Sequence, residues 1–359
     1  MLFYIKNEVL ENAHNYKENL EYLLESFYKG YHIVDFESLS VVKKNLIPTF
    51  EGDDKILKAI RFYEIKRQDI VALRQNHVTQ YTEVGLESFE IVKNDDEEII
   101  KMPISYFDGD LLSSWILSEN PQDCDFYISM FYNAKYFKYI QISDSVKLSF
   151  EIDNGGGCGT AIMLERRIDE KKVVLCIVDS DRKEPREDVK GTAGQVNSAM
   201  EDLQTTPKIA DAYILNVREK ENLIPPQLYK QFSKFSNFET IRHLSGFHGT
   251  EKEVLLGYVK ISNNEAAKFR KHNAHIFAEL SLTNTMRGIG KSGLSEFALN
   301  KLYTEELRDK MKIDTKGRSI DNRDLINLFQ NIPNYLDEDY RQIVYKIFSF
   351  ACSFGRIRI

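Results

Sequence analysis

Apolar and polar positions change their period along the chain. Over residues 16–28 and 54–63 apolar residues recur at helical spacing, and residues 1–110 predict a mainly helical region. Asp95-Asp96-Glu97-Glu98 reads as a solvated acidic loop, and Asp108-Gly109-Asp110 as a boundary. From residue 111 the pattern alternates strand and helix. Ser114-Trp115-Ile116-Leu117-Ser118 is a short apolar run, and residues 123–139 predict an aromatic-rich amphipathic helix. Val146 to Ile152 alternates with period two, as a strand does, and a helix is expected over residues 160–169. Lys172 to Val178 is apolar on both faces, the pattern of a buried parallel strand. Residues 192–203 predict a helix, and Ala212 to Val217 a fourth strand. This β-α-β-α-β-α-β order predicts an α/β fold, a parallel sheet with right-handed crossovers. Residues 262–359 read again as mainly helical and charge-rich. The expected division is therefore 1–110, 111–261 and 262–359.

Composition narrows the function classes. The chain has 359 residues, 42% hydrophobic and 29% charged, enough for more than one core under a soluble surface. No apolar run is long enough to span a bilayer, and residues 1–8 lack the basic-then-apolar order of a signal peptide. The four cysteines form no CxxC pair, so neither a zinc knuckle nor a disulfide framework is indicated. The expectation is a cytoplasmic protein without a membrane partner. The formal net charge of −7 is not the footprint of a free-standing nucleic-acid binder. It leaves room for an enzyme that meets phosphates through metal ions or a local basic patch.

In an open parallel sheet, ligands bind beyond the carboxyl ends of the strands. Glu119 follows the first expected strand. Asp153, Asn154 and Gly155-Gly156-Gly157-Cys158-Gly159 follow the second, and Asp179-Ser180-Asp181 the third. Arg218, Glu219 and Glu221 follow the fourth. Carboxylates crowded on one edge repel one another unless a cation sits between them, and such hard oxygen ligands suit Mg²⁺ or Mn²⁺. Asp179 and Asp181 are two apart, so in an extended strand end both would face one ion site. A lone DxD is ordinarily a surface turn. Here it caps the most hydrophobic strand of the chain and is matched by acid and glycine on the neighbouring strand ends.

An acid ending the first strand, glycines ending the second and DxD ending the third resemble a Toprim domain. The residues are Ser118-Glu119-Asn120, Asn154 to Gly159, and Val178 to Arg182. The likeness is nearest to the OLD-like and defence-associated Toprim nucleases, in which a segment like Val217 to Pro225 often follows the fourth strand. It departs at Asn120, where the family usually has glycine. The resemblance implies a Toprim-like sheet flanked by mainly helical regions. It implies a Mg²⁺- or Mn²⁺-dependent nuclease on DNA or RNA, with Glu119, Asp179 and Asp181 catalytic and metal-binding. Glu219 or Glu221 would complete a second metal site. Two metal ions on a carboxylate scaffold stabilise the attacking and leaving oxygens of phosphodiester hydrolysis. Gly155, Gly156 and Gly157 would bring backbone N–H groups to a phosphate, and Arg182 and Arg218 would reach a neighbouring one. By the same likeness the chain is expected to act as a toxin or anti-phage effector, with a regulatory protein partner or a second copy of itself. The rival reading is a non-catalytic Toprim-like subunit that binds a partner within a larger nucleic-acid-processing complex.

Weaker signals carry less. Met286 to Ser292 ends like a phosphate-binding Walker loop, but the first glycine of that motif falls at Thr285. His243, His248, His272 and His275 cluster in sequence without a clear third ligand for any pair. Lys268, Arg270, Lys271, Arg287 and Lys291 form the most basic stretch, read as a solvated face or a nucleic-acid contact.

Overall fold

The computed structural model describes residues 1–94, 97–136, 138–226, 238–260, 266–284, 286 and 330–358. The Met286 to Ser292 loop beyond its first residue, with Arg287 and Lys291, lies outside them, as do Asp95 and Asp96 of the acidic loop.

The first region differs from the expectation of a mainly helical one. Its long helices are present, α1 (Lys17–Lys29) and α2 (Asp54–Asn76), the latter capped by Asp53, whose carboxylate accepts the N–H groups of Lys55 and Ile56. They surround a five-stranded sheet in the order β2-β1-β3-β5-β4. The strands are β1 (Leu2–Ile5), β2 (Ile33–Phe36), β3 (Gln80–Gly85), β4 (Glu90–Lys93) and β5 (Glu98–Pro103), all parallel except β4 against β5. Two causes hide it from the sequence. Short runs such as Leu2–Ile5 fit a buried helix turn as well as a strand. The central strand β3 buries polar Gln80 and Thr82, which breaks the expected alternation.

The second sheet holds β6 (Ser114–Ser118), β8 (Phe150–Asn154), β9 (Val174–Val178) and β10 (Ala210–Ile214), all parallel, in the order β10-β9-β6-β8. Both faces are covered. On one, Leu117, Val174, Cys176 and Val178 pack with Leu164 and Ile168 of α4 (Thr160–Asp169) and Ala193 and Val196 of α5 (Gly191–Asp202). On the other, Ile116, Leu175 and Ile177 join a core that runs on into the first sheet. This face carries α3 (Pro121–Tyr136) and the C-terminal helix α6 (Asn334–Ala351), whose Phe131 and Phe348 rings stack with centroids 5.9 Å apart. The expected alternating strand 146–152 is split. Lys147–Leu148 forms β7, which pairs antiparallel with β11 (Cys352–Ser353), and only Phe150–Asn154 enters the parallel sheet.

Helix α6 ties the two sheets together. Its Ser349 hydroxyl accepts the N–H groups of Thr79 (3.1 Å) and Gln80 (3.3 Å) at the head of β3. Ser114, at the head of β6, donates to the Phe350 carbonyl. The protein is thus a mixed α/β fold with two largely parallel sheets. No described helix is long and apolar enough to cross a membrane.

Candidate active site

The chain leaves β6 for β8 in one direction along the sheet and passes from β9 to β10 in the other. The topological switch point therefore lies between β6 and β9, where open α/β sheets hold their ligands. Glu119 directly follows β6 and Asp179 directly follows β9, so the two acids end neighbouring strands at that point.

A third segment, Arg218 to Asn222, closes over them. The Ser180 hydroxyl donates to the Val217 carbonyl at 2.6 Å, and the Asp181 N–H to the Arg218 carbonyl at 2.9 Å. The Lys220 N–H donates to Asp179 Oδ1 at 2.9 Å. The segment is held from behind by Asp339 of α6. This buried carboxylate accepts the Tyr213 hydroxyl (2.7 Å) and the N–H groups of Asn216 (2.8 Å) and Val217 (3.2 Å). Helix α3 supplies the fourth wall. Asp123 and Tyr127, one turn apart, face the site, and the fully buried Tyr127 hydroxyl donates to Asp179 Oδ1 at 3.4 Å.

The electrostatics follow from this crowding. Burial, then the charges of Glu221, Asp123, Glu219 and Glu119, push the Asp179 carboxyl well above its ordinary range. Burial and then the Glu219 charge push Glu221 up to about 7, against the pull of Lys220. Two lysines offset part of the charge. The Lys220 ammonium pairs with Asp123. Burial works against that ammonium, yet Asp123, Glu221 and Asp179 together hold it above its ordinary value. The Lys260 ammonium lies 2.5 Å from Glu219 Oε2, while the buried Glu219 Oε1 has no hydrogen-bond partner among the described residues.

Glu119, Asp179, Glu219 and Glu221 thus share one edge. Asp181 does not join them. Strand β9 ends at Val178, and Asp181 takes the left-handed conformation at φ 53°, so the period-two argument from an extended strand fails. Asp181 is exposed on the rim, where its charge acts on Arg218 and Lys260.

The glycine run is also corrected in part. The N–H groups of Gly155 and Gly156 donate to the carbonyls of Ser118 (3.1 Å) and Glu119 (3.2 Å), so they close the turn rather than face a ligand. A Cβ on Gly155 would stand 2.0 Å from the Thr160 Cα, and Gly156 adopts φ 63°, which explains glycine at both.

Arg182 lies against Tyr258. Arg218 reaches Asn273 Oδ1 at 3.5 Å, and burial pulls its guanidinium below its ordinary value. Arg218 borders the acidic edge through the charges of Glu219 and Asp181, whereas no contact of Arg182 with the acids of that edge is seen among the described residues. Strand β10 lies at 210–214 rather than 212–217, so Arg218 begins the covering segment instead of capping the strand. Asp153 is committed elsewhere, 2.7 Å from Arg167, whose guanidinium stacks on Trp115. His248 pairs with Glu253 and His243 meets the Leu280 carbonyl, which gives both histidines structural partners.

Oxygen donors for a hard divalent ion are present in Glu119, Asp123, Asp179, Glu219 and Glu221. No three His, Cys, Asp or Glu side chains among the described residues stand as a ready-made ligand group. What stands there instead is an acidic edge with Asp123 and Glu219 each held by a lysine.

Sequence reasoning offers Asp123 only as a substitute, with Asp125 or Asp153, should Glu119 prove dispensable, and it misses Tyr127, Lys220, Lys260 and Asp339. The spacing Glu119, Asp123, Tyr127 repeats every four residues, a signal that could have found the two on α3. For Asp339, far away in sequence, no such signal exists. Comparison of the chain with protein-family models, with curated proteins and with solved structures finds no match.

Proposed function

We propose that this protein is a divalent-metal-dependent nuclease of Toprim type, hydrolysing phosphodiester bonds in DNA or RNA with Mg²⁺ or Mn²⁺. One observation carries the reading. Carboxylates from the ends of β6 and β9, from α3 and from the 218–222 segment act on one another at the switch point of a parallel sheet, bordered by Arg218. Their number exceeds what two lysines neutralise, and burying like charges without a counter-ion is costly. A catalytic requirement for a cation explains why the fold tolerates them.

In this reading Glu119, Asp179 and Glu221 would be the residues to hold the ion, drawn together by it because no such group stands ready-made among the described residues, and the ion would supply Lewis-acid stabilisation of the developing charge. Tyr127 and the Lys220 N–H fix the orientation of Asp179. A carboxylate beside the ion, Glu119 foremost, accepts the proton of the attacking water. Arg182 and Arg218 contact substrate phosphates from the rim, a role that a planar guanidinium fork suits. A defence or toxin role and a regulatory protein partner are proposed from the family resemblance alone.

The test is incubation of purified protein with plasmid, single-stranded DNA and total RNA, with Mg²⁺, Mn²⁺ or EDTA. Cleavage of at least one substrate that EDTA abolishes is the expected result. The second reading, a partner-binding subunit without turnover, is favoured by the lysine pairs that hold Asp123 and Glu219. It predicts neither divalent-ion binding nor cleavage.

A further inference from the structure

We propose that Asp339, on the C-terminal helix α6, is a positioning residue for Asp179 and acts on it through the backbone of Val217 and the hydroxyl of Ser180. The inference rests on the reading of Asp179 as a catalytic acid, and adds two residues outside the acidic edge that fix where its carboxylate stands.

Asp339 is fully buried, and three donors converge on it. Its Oδ1 accepts the Tyr213 hydroxyl and the Asn216 N–H, and its Oδ2 accepts the Val217 N–H. Burial raises its carboxyl above the ordinary range, against the pull of these three bonds. A shell made only of donors suits an ionised carboxylate, whose oxygens only accept. An amide of the same shape has one oxygen, and either orientation turns its NH₂ group toward a peptide N–H. The position therefore asks for charge as well as shape.

The bonds run on from Asp339 to the site. Val217 gives its N–H to Asp339, and its carbonyl accepts the hydroxyl of the buried Ser180, the residue directly after Asp179. The same stretch of chain meets the end of β9 twice more, through the Asp181 N–H on the Arg218 carbonyl and the Lys220 N–H on Asp179 Oδ1. Strand β9 stops at Val178, one residue short of Asp179, so these three bonds take over where the sheet ladder ends. The clasp is itself fixed from α6 at both ends, because the Tyr340 hydroxyl donates to the Leu223 carbonyl at 2.8 Å. Helix α6 in turn is held to the heads of β3 and β6 through Ser349 and Phe350, which refers the clasp to the centre of the fold. Ser180 is thus more than a spacer between two acids. Its hydroxyl joins the strand end to the wall that Asp339 holds. A displacement of about 1 Å in a reacting group can cost roughly 10²-fold in rate, so the link bears on turnover without touching substrate.

The test has two arms on the full-length chain, with Asp339→Asn, Ser180→Ala and the double variant beside the wild type. The first is amide hydrogen exchange in EDTA, resolved to single residues, and it needs no turnover. Asp339→Asn is expected to speed exchange at Val217, Asp181 and Lys220 by roughly tenfold or more, with β1 to β3 unchanged. Ser180→Ala is expected to speed Asp181 and Lys220 alone, since Asp339 still holds Val217. The second arm is cleavage of labelled single-stranded DNA or RNA in Mg²⁺. Each single variant is expected to lower kcat by roughly 10- to 100-fold at unchanged KM, and the double variant to lose no more than the worse single one, because both changes cut one link. A side chain that serves stability alone would lower the melting point and leave kcat and the Lys220 amide of the folded protein as they are. That result in Asp339→Asn overturns the inference while the nuclease reading stands. Should Asp339→Asn fold poorly, Ser180→Ala decides, and wild-type exchange at Lys220 or wild-type kcat in it overturns the inference equally. A wild type without turnover fails the nuclease reading, and the exchange arm then decides by itself whether Asp339 fixes Asp179.

Discussion

Glu221 offers a quantitative test of the crowded edge in the absence of metal. It is buried, and burial together with the Glu219 charge raises its carboxyl from 4.5 to about 7. The folded protein therefore keeps this proton over a pH range in which the unfolded chain has lost it. The sign follows directly. Between pH 4.5 and about 7 the native state binds more protons, so stability falls as pH rises through that window and then levels off. A tenfold difference in proton affinity between the folded and unfolded states is worth about 1.4 kcal/mol, so ionised Glu221 costs the fold about 3 kcal/mol above the window. Glu221→Gln keeps the shape and removes the ionisation. In EDTA it should match the wild type at the acid end of the window and exceed it by about 3 kcal/mol at the alkaline end. Urea unfolding of both proteins on either side of the window measures this. Saturating Mg²⁺ should reverse the order, because an ion that binds only the native state stabilises the wild type more than the variant. A Glu221→Gln effect that is the same at both pH values would refute the reasoning, as would a variant less stable than wild type in alkaline EDTA.

The remaining predictions separate the roles of individual side chains. Asp179→Ala should abolish cleavage with the fold intact, and Asp181→Ala, on the rim, should leave measurable turnover; equal losses in matched Mg²⁺ kinetics would place Asp181 in the site after all. Glu119→Gln should lower turnover by roughly 10²–10⁴-fold while metal still binds, as single-turnover rates and Mn²⁺ titration would show. Arg182→Ala and Arg218→Ala should each weaken substrate use and reduce the slope of log affinity against log salt by about one, with metal affinity unchanged. In the first sheet, Arg74→Met removes the guanidinium 2.8 Å from the fully buried Asp35 and should cost about 3 kcal/mol in urea unfolding.

How much is legible in the sequence depends on how local the signal is. Lys172 to Val178 is apolar on both faces, and its place as a central parallel strand follows from that alone. The helices 160–169 and 191–202 likewise declare themselves through periodicity. Glu119 and Asp179 can be paired because both end such strands. The sheet of residues 2–103 is not legible, since its strands are four to six residues long and the central one buries Gln80 and Thr82. Asp181 departs from its expected place because its side-chain direction depends on where β9 stops, and its left-handed backbone undoes the inference from an extended strand. Lys220 reads as one of many charges in Arg218-Glu219-Lys220-Glu221. Only the fold reveals that its ammonium reaches Asp123, 97 residues earlier in the chain. Asp339 lies 123 residues beyond Asn216, and its hold on the site wall is a tertiary fact without a local signature.

The central claim is that the acids at the β6–β9 switch point form a metal-dependent catalytic centre. The most direct measurement is cleavage of a labelled nucleic acid by wild type and Asp179→Ala side by side, in Mg²⁺, in EDTA, and in EDTA followed by excess Mg²⁺. The account predicts cleavage by the wild type in Mg²⁺, none in EDTA, recovery on adding the metal back, and none by Asp179→Ala at unchanged secondary structure and melting cooperativity. Cleavage that persists in EDTA, or wild-type turnover by Asp179→Ala, would contradict it.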